Sequence, residues 1–581
     1  MSAAPWRDPR YAPDAVQAAF GADGEVTLDN AAPLGRVFPT AAAPLDHWAA
    51  EAPGRTWLAE RSGAGWRRLG FAEAAERVAA LAGGLLGLGL DGERPLLLLA
   101  RNGIDTALVT YAAMRASVPA APVTPQYGLP GAEPSRLAHA LALLRPGVVY
   151  VDDPALYAPA LGAAGLPAGV RVLGPGDLEA LAAGPPSPDR GEAGSVAKLL
   201  LTSGSTGAPK AVALTHANLA VNAAQVTACY DDPEPPILVN SAPWSHSLGA
   251  HAILHMCAHR GGTLHVDAGQ PTPARFGETL RNLAEVETTY HNMVPAGWAL
   301  LADALEADAA LARTFFARVR VMQYGGAGLP DSVLRRVQAT AVRACGERVT
   351  FAAGYGVTET TPTVSNVRWP NDRSGLLGSP IPGTAIRLAP VGGGKLEVRV
   401  RGPQVAPGYR QPDGSLRPLP LDGEGFYATG DAGRLAEPER PDRGIVFDGR
   451  LVENFKLATG AFVAAGALRL AAVSALGGLA LDAVVCGENQ AGVGLLLFPH
   501  PEADTAALRG HVRDRLTALN AGARGVGGRV ARALVLAEGP DAASGELTDK
   551  GYLNQALARA RRPAAIARLF SAEPDADVIV L

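Results

Sequence analysis

Leu199-Leu-Leu-Thr-Ser-Gly-Ser-Thr-Gly-Ala-Pro-Lys-Ala-Val-Ala-Leu-Thr-His216 runs from an apolar stretch into small hydroxylated residues and glycines, then a single lysine. The composition is that of a phosphate loop. Gly204 and Gly207 let the backbone come close to an anion, Thr202, Ser203, Ser205 and Thr206 offer hydroxyl donors, and Lys210 adds a compact mobile charge. A Walker loop would need Gly directly before the lysine and Ser or Thr directly after it. Here Pro209 precedes Lys210 and Ala211 follows, which disfavours kinases and P-loop ATPases.

Working outward, the 581-residue chain exceeds the usual size of one domain, so two or more are expected. With 52 basic and 56 acidic residues the net charge is only −4, and nothing calls for nucleic acid as a partner. A hydrophobic content of 48% with 19% charged residues describes an ordered globular protein. The longest uncharged apolar runs, Val78 to Leu90 and Leu470 to Leu481, fall short of the roughly 20 residues a membrane span needs. Trp6, Arg7, Asp8 and Pro9 are followed by no apolar core, so no signal peptide is expected and a cytoplasmic location is the default. Cys229, Cys257, Cys345 and Cys486 are scattered and read as buried free thiols. Arg serves nearly all basic positions, and Lys198, Lys210, Lys395, Lys456 and Lys550 are the only lysines. A lysine kept against that background suits tasks that need a small, strongly hydrated point charge.

Residues 1–40, rich in Ala, Pro and Asp, read as an irregular lead-in, and helical spacing dominates from Ala43 to Leu90. Strand-like Pro95-Leu-Leu-Leu-Leu-Ala, helix-like Asp105 to Arg115, and the strands at Val148-Val-Tyr-Val and Val170-Arg-Val-Leu predict an α/β fold with a parallel, doubly wound sheet. Ala211 to Leu214 reads as a short strand, with Thr215 capping a helix that begins near His216. Gly378-Ser-Pro-Ile-Pro-Gly and Lys395-Leu-Glu-Val-Arg-Val-Arg suggest a smaller β-rich subdomain. A compact, mobile α+β domain is expected after about Leu451.

The spacing Thr-Ser-Gly-Ser-Thr-Gly-x-Pro-Lys-x-Val resembles the signature loop of the acyl-adenylate-forming superfamily, which includes acyl-CoA synthetases, peptide-synthetase adenylation domains and luciferases. Further motifs follow in that family's order, from about residue 40 to 560. In Val319-Arg-Val-Met-Gln-Tyr-Gly-Gly-Ala-Gly, Gly325, Gly326 and Ala327 match the adenine-side loop. In Phe351-Ala-Ala-Gly-Tyr-Gly-Val-Thr-Glu, the resemblance implies that Tyr355 packs against adenine, Thr358 bonds the α-phosphate and Glu359 holds Mg²⁺, a hard cation suited to a carboxylate. Tyr427-Ala-Thr-Gly-Asp-Ala-Gly places Asp431 to accept both ribose hydroxyls, and Asp448-Gly-Arg places Arg450 on the nucleotide at the junction of a large domain, 41–449, and a lid, 450–581.

For the acyl group, the resemblance implies that in Pro243-Trp-Ser-His-Ser-Leu-Gly-Ala-His the side chain of His246 faces the carboxylate, with His251 also on the substrate side. Asn292, Met293 and Val294, in Thr289-Tyr-His-Asn-Met-Val-Pro, line the pocket together with Gly325 and Gly354. A metal cluster of His251, His255, His259 and His265 is disfavoured, because no carboxylate or cysteine joins them at suitable spacing. In Glu453-Asn-Phe-Lys-Leu-Ala-Thr-Gly, Lys456 and Gly460 stand at positions that turn toward a thiol acceptor. Val452 replaces the family's frequent hinge Asp. In Ser544-Gly-Glu-Leu-Thr-Asp-Lys-Gly-Tyr most relatives have the catalytic lysine directly after Ser-Gly, where this chain has Glu546. Lys550 takes the role, and the tail resembles that of feruloyl-CoA synthetases.

The resemblance implies ATP, Mg²⁺ and coenzyme A as cofactors, and a reaction that forms an acyl-adenylate and then an acyl-CoA thioester. The small-molecule carboxylic acid is expected to be ferulate or a related hydroxycinnamate. A medium-chain fatty acid, and CoA-independent loading of a carrier protein, stay open, as does a homodimer.

Overall fold

Leu96–Leu99 is four leucines in a row, all buried, and in the computed structural model they form the middle of an eight-stranded sheet. Alternate leucines enter different cores. Leu96 and Leu98 pack with the helices Phe71–Gly87 and Ile104–Arg115, whereas Leu97 and Leu99 pack with Pro134–Leu144 and Pro154–Ala163. A run apolar on both faces is what a parallel strand covered by helices on each side requires. The neighbours Ala120–Val123 and Val148–Val151 are parallel to it, Arg171–Leu173 extends one edge, and Val196–Thr202 joins the other. The doubly wound expectation therefore holds. The structure describes all residues except 1–3, 22, 203–208, 326–327, 372, 393, 478, 501–504, 524, 542–545 and 547–552.

A second, eleven-stranded sheet has a parallel end, Tyr290–Met293, Val321–Tyr324 and Thr350–Tyr355, and continues antiparallel through the strands expected to be β-rich, among them Leu376–Pro380, Ala385–Pro390, Leu396–Arg401 and Tyr427–Leu435. Two local expectations need correction. Residues 16–30, expected to be irregular, form a hairpin of Val16–Phe20 and Val26–Asn30 on the edge of this sheet, where Leu28 pairs with Ile386. Val26, Leu28 and Asn30 alternate inward, a period-two signal hidden in an Ala/Pro-rich background. Within Ala43 to Leu90 the helices Ala43–Glu51 and Phe71–Gly87 are separated by the hairpin Thr56–Ser62/Gly65–Gly70, which buries Trp57, Leu58 and Ala59. That hairpin joins Ile237–Asn240 and Thr263–Val266 in a four-stranded sheet.

Beyond Arg450, Ala480–Cys486, Val493–Pro499, Val530–Val535 and Val578–Val580 form a separate sheet, with the helices Ala465–Leu476 and Thr505–Ala521. Its apolar residues build clusters of their own. Among the described residues no helix is long and apolar enough to cross a membrane. All four cysteines are free thiols, three of them buried and Cys345 partly so.

Candidate active site

The phosphate loop is held by two antiparallel strands, Val196–Thr202 and Lys210–Thr215, which set Thr202 opposite Lys210. Ser203, Gly204, Ser205, Thr206 and Gly207 lie outside the described residues. Thr215 caps the following helix as expected, its hydroxyl accepting from the Asn218 amide at 3.1 Å. The Lys210 ammonium stands 5.3 Å from the ring centroid of Tyr409, and the Tyr409 hydroxyl donates to Glu359 Oε1 at 2.9 Å. One tyrosine thus bridges the loop lysine and the acidic residue expected at the metal. Tyr427 adds its hydroxyl 3.3 Å from that of Tyr409. Burial raises the Tyr409 hydroxyl well above the usual tyrosine range and the Glu359 carboxylate raises it further, so Tyr409 stays a donor.

Glu359 and Thr358 sit on the tight turn Thr358–Thr360 at the end of the strand Thr350–Tyr355. That turn needs its glycine. Gly356 has φ +156°, and a Cβ there would fall 1.4 Å from the Pro362 carbonyl oxygen. The Ala406 amide donates to the Glu359 carbonyl at 2.8 Å, fixing the backbone of the acidic residue. Thr358 Oγ1 comes within 3.5 Å of Ser247 Oγ, which joins this turn to the segment that carries His246. The donor set suits Mg²⁺. A single oriented carboxylate is what a cation needs when it draws its other ligands from phosphates and water.

Asp431 lies on Tyr427–Leu435, opposite Arg450, and is 5% exposed. Its Oδ2 accepts from the Tyr355 hydroxyl at 2.9 Å, and its Oδ1 is 3.6 Å from Arg450 Nε. Desolvation pushes the carboxyl above its ordinary value, with Arg450 and Tyr355 opposing the shift. The Tyr355 ring is largely buried among Val26, Leu28 and Val364. Its described polar role is therefore to hold Asp431.

On the acyl side, the C-terminal ends of three parallel strands present Val294, Gly325 and Gly354. A Cβ at Gly354 would meet nothing within 4 Å, and one at Gly325 only Leu248, at 3.8 Å. These glycines leave open space at the C-terminal ends of the strands, where open α/β sheets bind ligands. Gly326 and Ala327 lie outside the described residues. Asn292 is 6% exposed. Its side-chain amide donates to Gln323 Oε1 at 3.1 Å, and its backbone carbonyl accepts from the Asn240 side chain at 2.8 Å. Met293 and Val294 are half-buried, the former against Gly297. His246 is half-buried in the turn before the π-helical segment Leu248–Ile253. His251 lies within that π-helical segment. At 1% exposure it faces His255, ring to ring at 5.3 Å, in a cluster treated below. No group of three or more potential metal ligands occurs among the described residues.

In the C-terminal part, Lys456 is exposed on Phe455–Lys456, and Gly460 is exposed at φ +79° in the turn before Phe462–Val463. Lys550 lies outside the described residues. Glu546 is fully buried. It pairs with Arg562 and, at 3.2 Å, with Arg561, and it accepts from the Asp541 amide at 2.8 Å. Lys395, which no motif claims, bonds Asp448 and faces the Phe462 ring at 5.8 Å. Tyr409 and Glu546 are the residues that sequence reasoning missed as organisers. Only the departure at 546 left a trace in the sequence.

The model of the AMP-binding enzyme family matches residues 45–410, more than half of the chain. The chain belongs to this family, the acyl-adenylate-forming superfamily. Within it the chain stands with the AMP-forming acyl-CoA synthetases. Feruloyl-CoA synthase of an Amycolatopsis species is 29% identical over 381 residues, covering 63% of this chain and 71% of that one. A long-chain-fatty-acid–CoA ligase of Bacillus subtilis is 28% identical over 256 residues, 42% of each chain. The anthranilate CoA ligase AuaEII in complex with anthranoyl-AMP superposes with a TM-score of 0.75 at 17% identity, covering 92% of this chain and 99% of that one, which shows a shared fold.

Proposed function

We propose that this chain is an ATP-dependent carboxylate–CoA ligase acting on ferulate or a related hydroxycinnamate or aromatic acid. The observation that carries this reading is the Lys210–Tyr409–Glu359 bridge, joined through the Tyr427 hydroxyl at 3.3 Å to the strand that holds Asp431 between Tyr355 and Arg450. That spacing suits a nucleotide whose ribose rests on Asp431 and whose phosphates reach Lys210. Mg²⁺ at Glu359 would neutralise charge on the departing pyrophosphate. The substrate carboxylate enters beside His246 and attacks the α-phosphorus in line with that leaving group. Thr358 donates to the α-phosphate, and Lys210 follows the charge as it moves outward. The flat floor of Gly325 and Gly354 favours a planar ring, in keeping with the name of the Amycolatopsis relative.

The thioester step then needs a second arrangement of the same site. Residues 41–449 serve as the adenylating domain and 450–581 as a lid that brings Lys550 for adenylation and the Lys456–Gly460 face for attack by the CoA thiol. A fatty acid is the second reading, supported by the Bacillus subtilis match. The test is ATP consumption with and without CoA across cinnamic, benzoic and fatty acids, with products identified by mass. CoA-dependent AMP release with feruloyl-CoA or a close aryl-CoA is expected. Fatty acyl-CoA as the main product would overturn the aromatic assignment, and an acyl-adenylate with no thioester would overturn the ligase.

A further inference from the structure

Lys198 lies four residues before the phosphate-loop threonine Thr202, on the strand that ends there, and no motif accounts for it. It is 1% exposed, among the largest fully buried side chains of the molecule. Its amine lies 3.0 Å from His255 Nε2, and His255 Nδ1 lies 2.8 Å from the Tyr111 hydroxyl. The titratable groups around this chain of contacts are Tyr111 and, facing His255, His216, His251 and His259, with Cys257 beside Tyr111. None is a carboxylate. A buried ammonium with no counter-ion is costly, and burial pushes the amine down to about 7. Uncharged, the amine can act as an acceptor: the Tyr111 hydroxyl donates to His255 Nδ1, and His255 Nε2–H donates to the amine lone pair.

His255 belongs to the helix Leu254–His259, which continues directly from the π-helical turn Leu248–Ile253. π-turns are energetically poor and persist where tertiary contacts hold them. This one contacts the site at its other end, with Leu248 against Gly325 and the preceding Ser247 against Thr358. We propose that Lys198 is a positioning residue whose amine, through His255 and Tyr111, anchors the π-turn that presents His246, Ser247 and Leu248 to the acyl end of the site. Protonation of the amine turns its lone pair into a third N–H, so His255 must take its other tautomer and the Tyr111 hydroxyl must accept, leaving its own O–H without an acceptor among the described contacts, and the anchor loosens as the medium becomes acidic. The consequence for substrate binding rests on the acyl-site reading above; the anchor itself does not.

The test is hydrogen exchange of the full chain, read at peptides spanning 246–255, with the Leu96–Leu99 strand of the same sheet as control. In the wild type, exchange at 246–255, corrected for intrinsic rates, should quicken about five- to tenfold between about pH 8 and pH 6, the loss of roughly one hydrogen bond. Lys198→Met should show the faster exchange at both pH values, and Tyr111→Phe a smaller change in the same direction, with the control strand unmoved. Where ferulate is turned over, Lys198→Met should raise the KM for ferulate and leave that for ATP alone. Protection at 246–255 that is independent of pH in the wild type overturns the anchor, and needs no variant to fold. A pH response that persists in Lys198→Met overturns it too. Absence of ferulate turnover with the exchange pattern intact counts against the substrate and not against Lys198.

Discussion

The hydroxyl of Tyr409 donates to Glu359 Oε1 at 2.9 Å, across 50 residues of sequence. That bond aims the carboxylate, and Lys210 on the other side of the ring ties it to the phosphate loop. Tyr409→Phe keeps the ring under Lys210 and removes only the hydroxyl. Hydrogen bonds to charged groups contribute about 1.5–3 kcal/mol, so adenylation should fall about tenfold or more and more Mg²⁺ should be needed for half-maximal rate. A Mg²⁺ titration of ATP–pyrophosphate exchange decides it. An unchanged requirement would remove Glu359 from the metal.

Asp431 is held at one oxygen by Tyr355 and approached at the other by Arg450. Asp431→Asn preserves the shape and removes the charge and one acceptor. The KM for ATP should rise by about one to two orders of magnitude, with the KM for the carboxylic acid nearly constant. Equal effects on both substrates would mean that Asp431 supports the fold and not the ribose.

What was legible in the sequence is local. Thr215 caps its helix because its partner Asn218 is three residues away, and the leucine run at 96–99 declares a covered strand by itself. The site residues carried by the family's motifs could be named because each motif is contiguous. Tyr409 could not, since its meaning comes from Glu359 and Lys210, which only the folded sheets bring to it. The hairpins at 16–30 and 56–70 escaped for a related reason. Each is short, and its edge partner, Ile386 or Leu264, is remote in sequence.

Buried histidines set the acid limit of stability. Burial depresses His216, His259 and His265 to about 4, and His251 and His291 to about 3. The unfolded chain takes up these protons below about pH 6.5 while the folded one does not, so stability is intact above that pH and is lost as the pH falls toward 4. His291 gives the cleanest test. Both its nitrogens lack a partner among the described residues, and it packs edge-on against Trp298 and Phe315 at 5.3 and 5.2 Å. His291→Phe should stabilise the protein by about 2 kcal/mol more at pH 5 than at pH 8. Thermal unfolding at the two pH values measures this, and an equal gain at both would show that His291 does not titrate between the states.

Glu546, at the position where the family resemblance implies a catalytic lysine, is buried and paired with Arg561 and Arg562. A lysine side chain at that place would meet the guanidinium groups of Arg561 and Arg562, which supports the proposal that Lys550 takes the role. Glu546→Gln should destabilise the C-terminal part by about 1.5–3 kcal/mol, because the largely buried Arg562 loses its charged partner while the half-exposed Arg561 keeps Asp541. Lys550→Ala should lower adenylation by about 10²- to 10³-fold while CoA transfer onto a supplied acyl-adenylate continues. Adding Glu546→Lys to Lys550→Ala should restore nothing. Single-turnover assays of the two half-reactions separate these effects, and recovery of adenylation in the double variant would show that position 546 reaches the nucleotide after all.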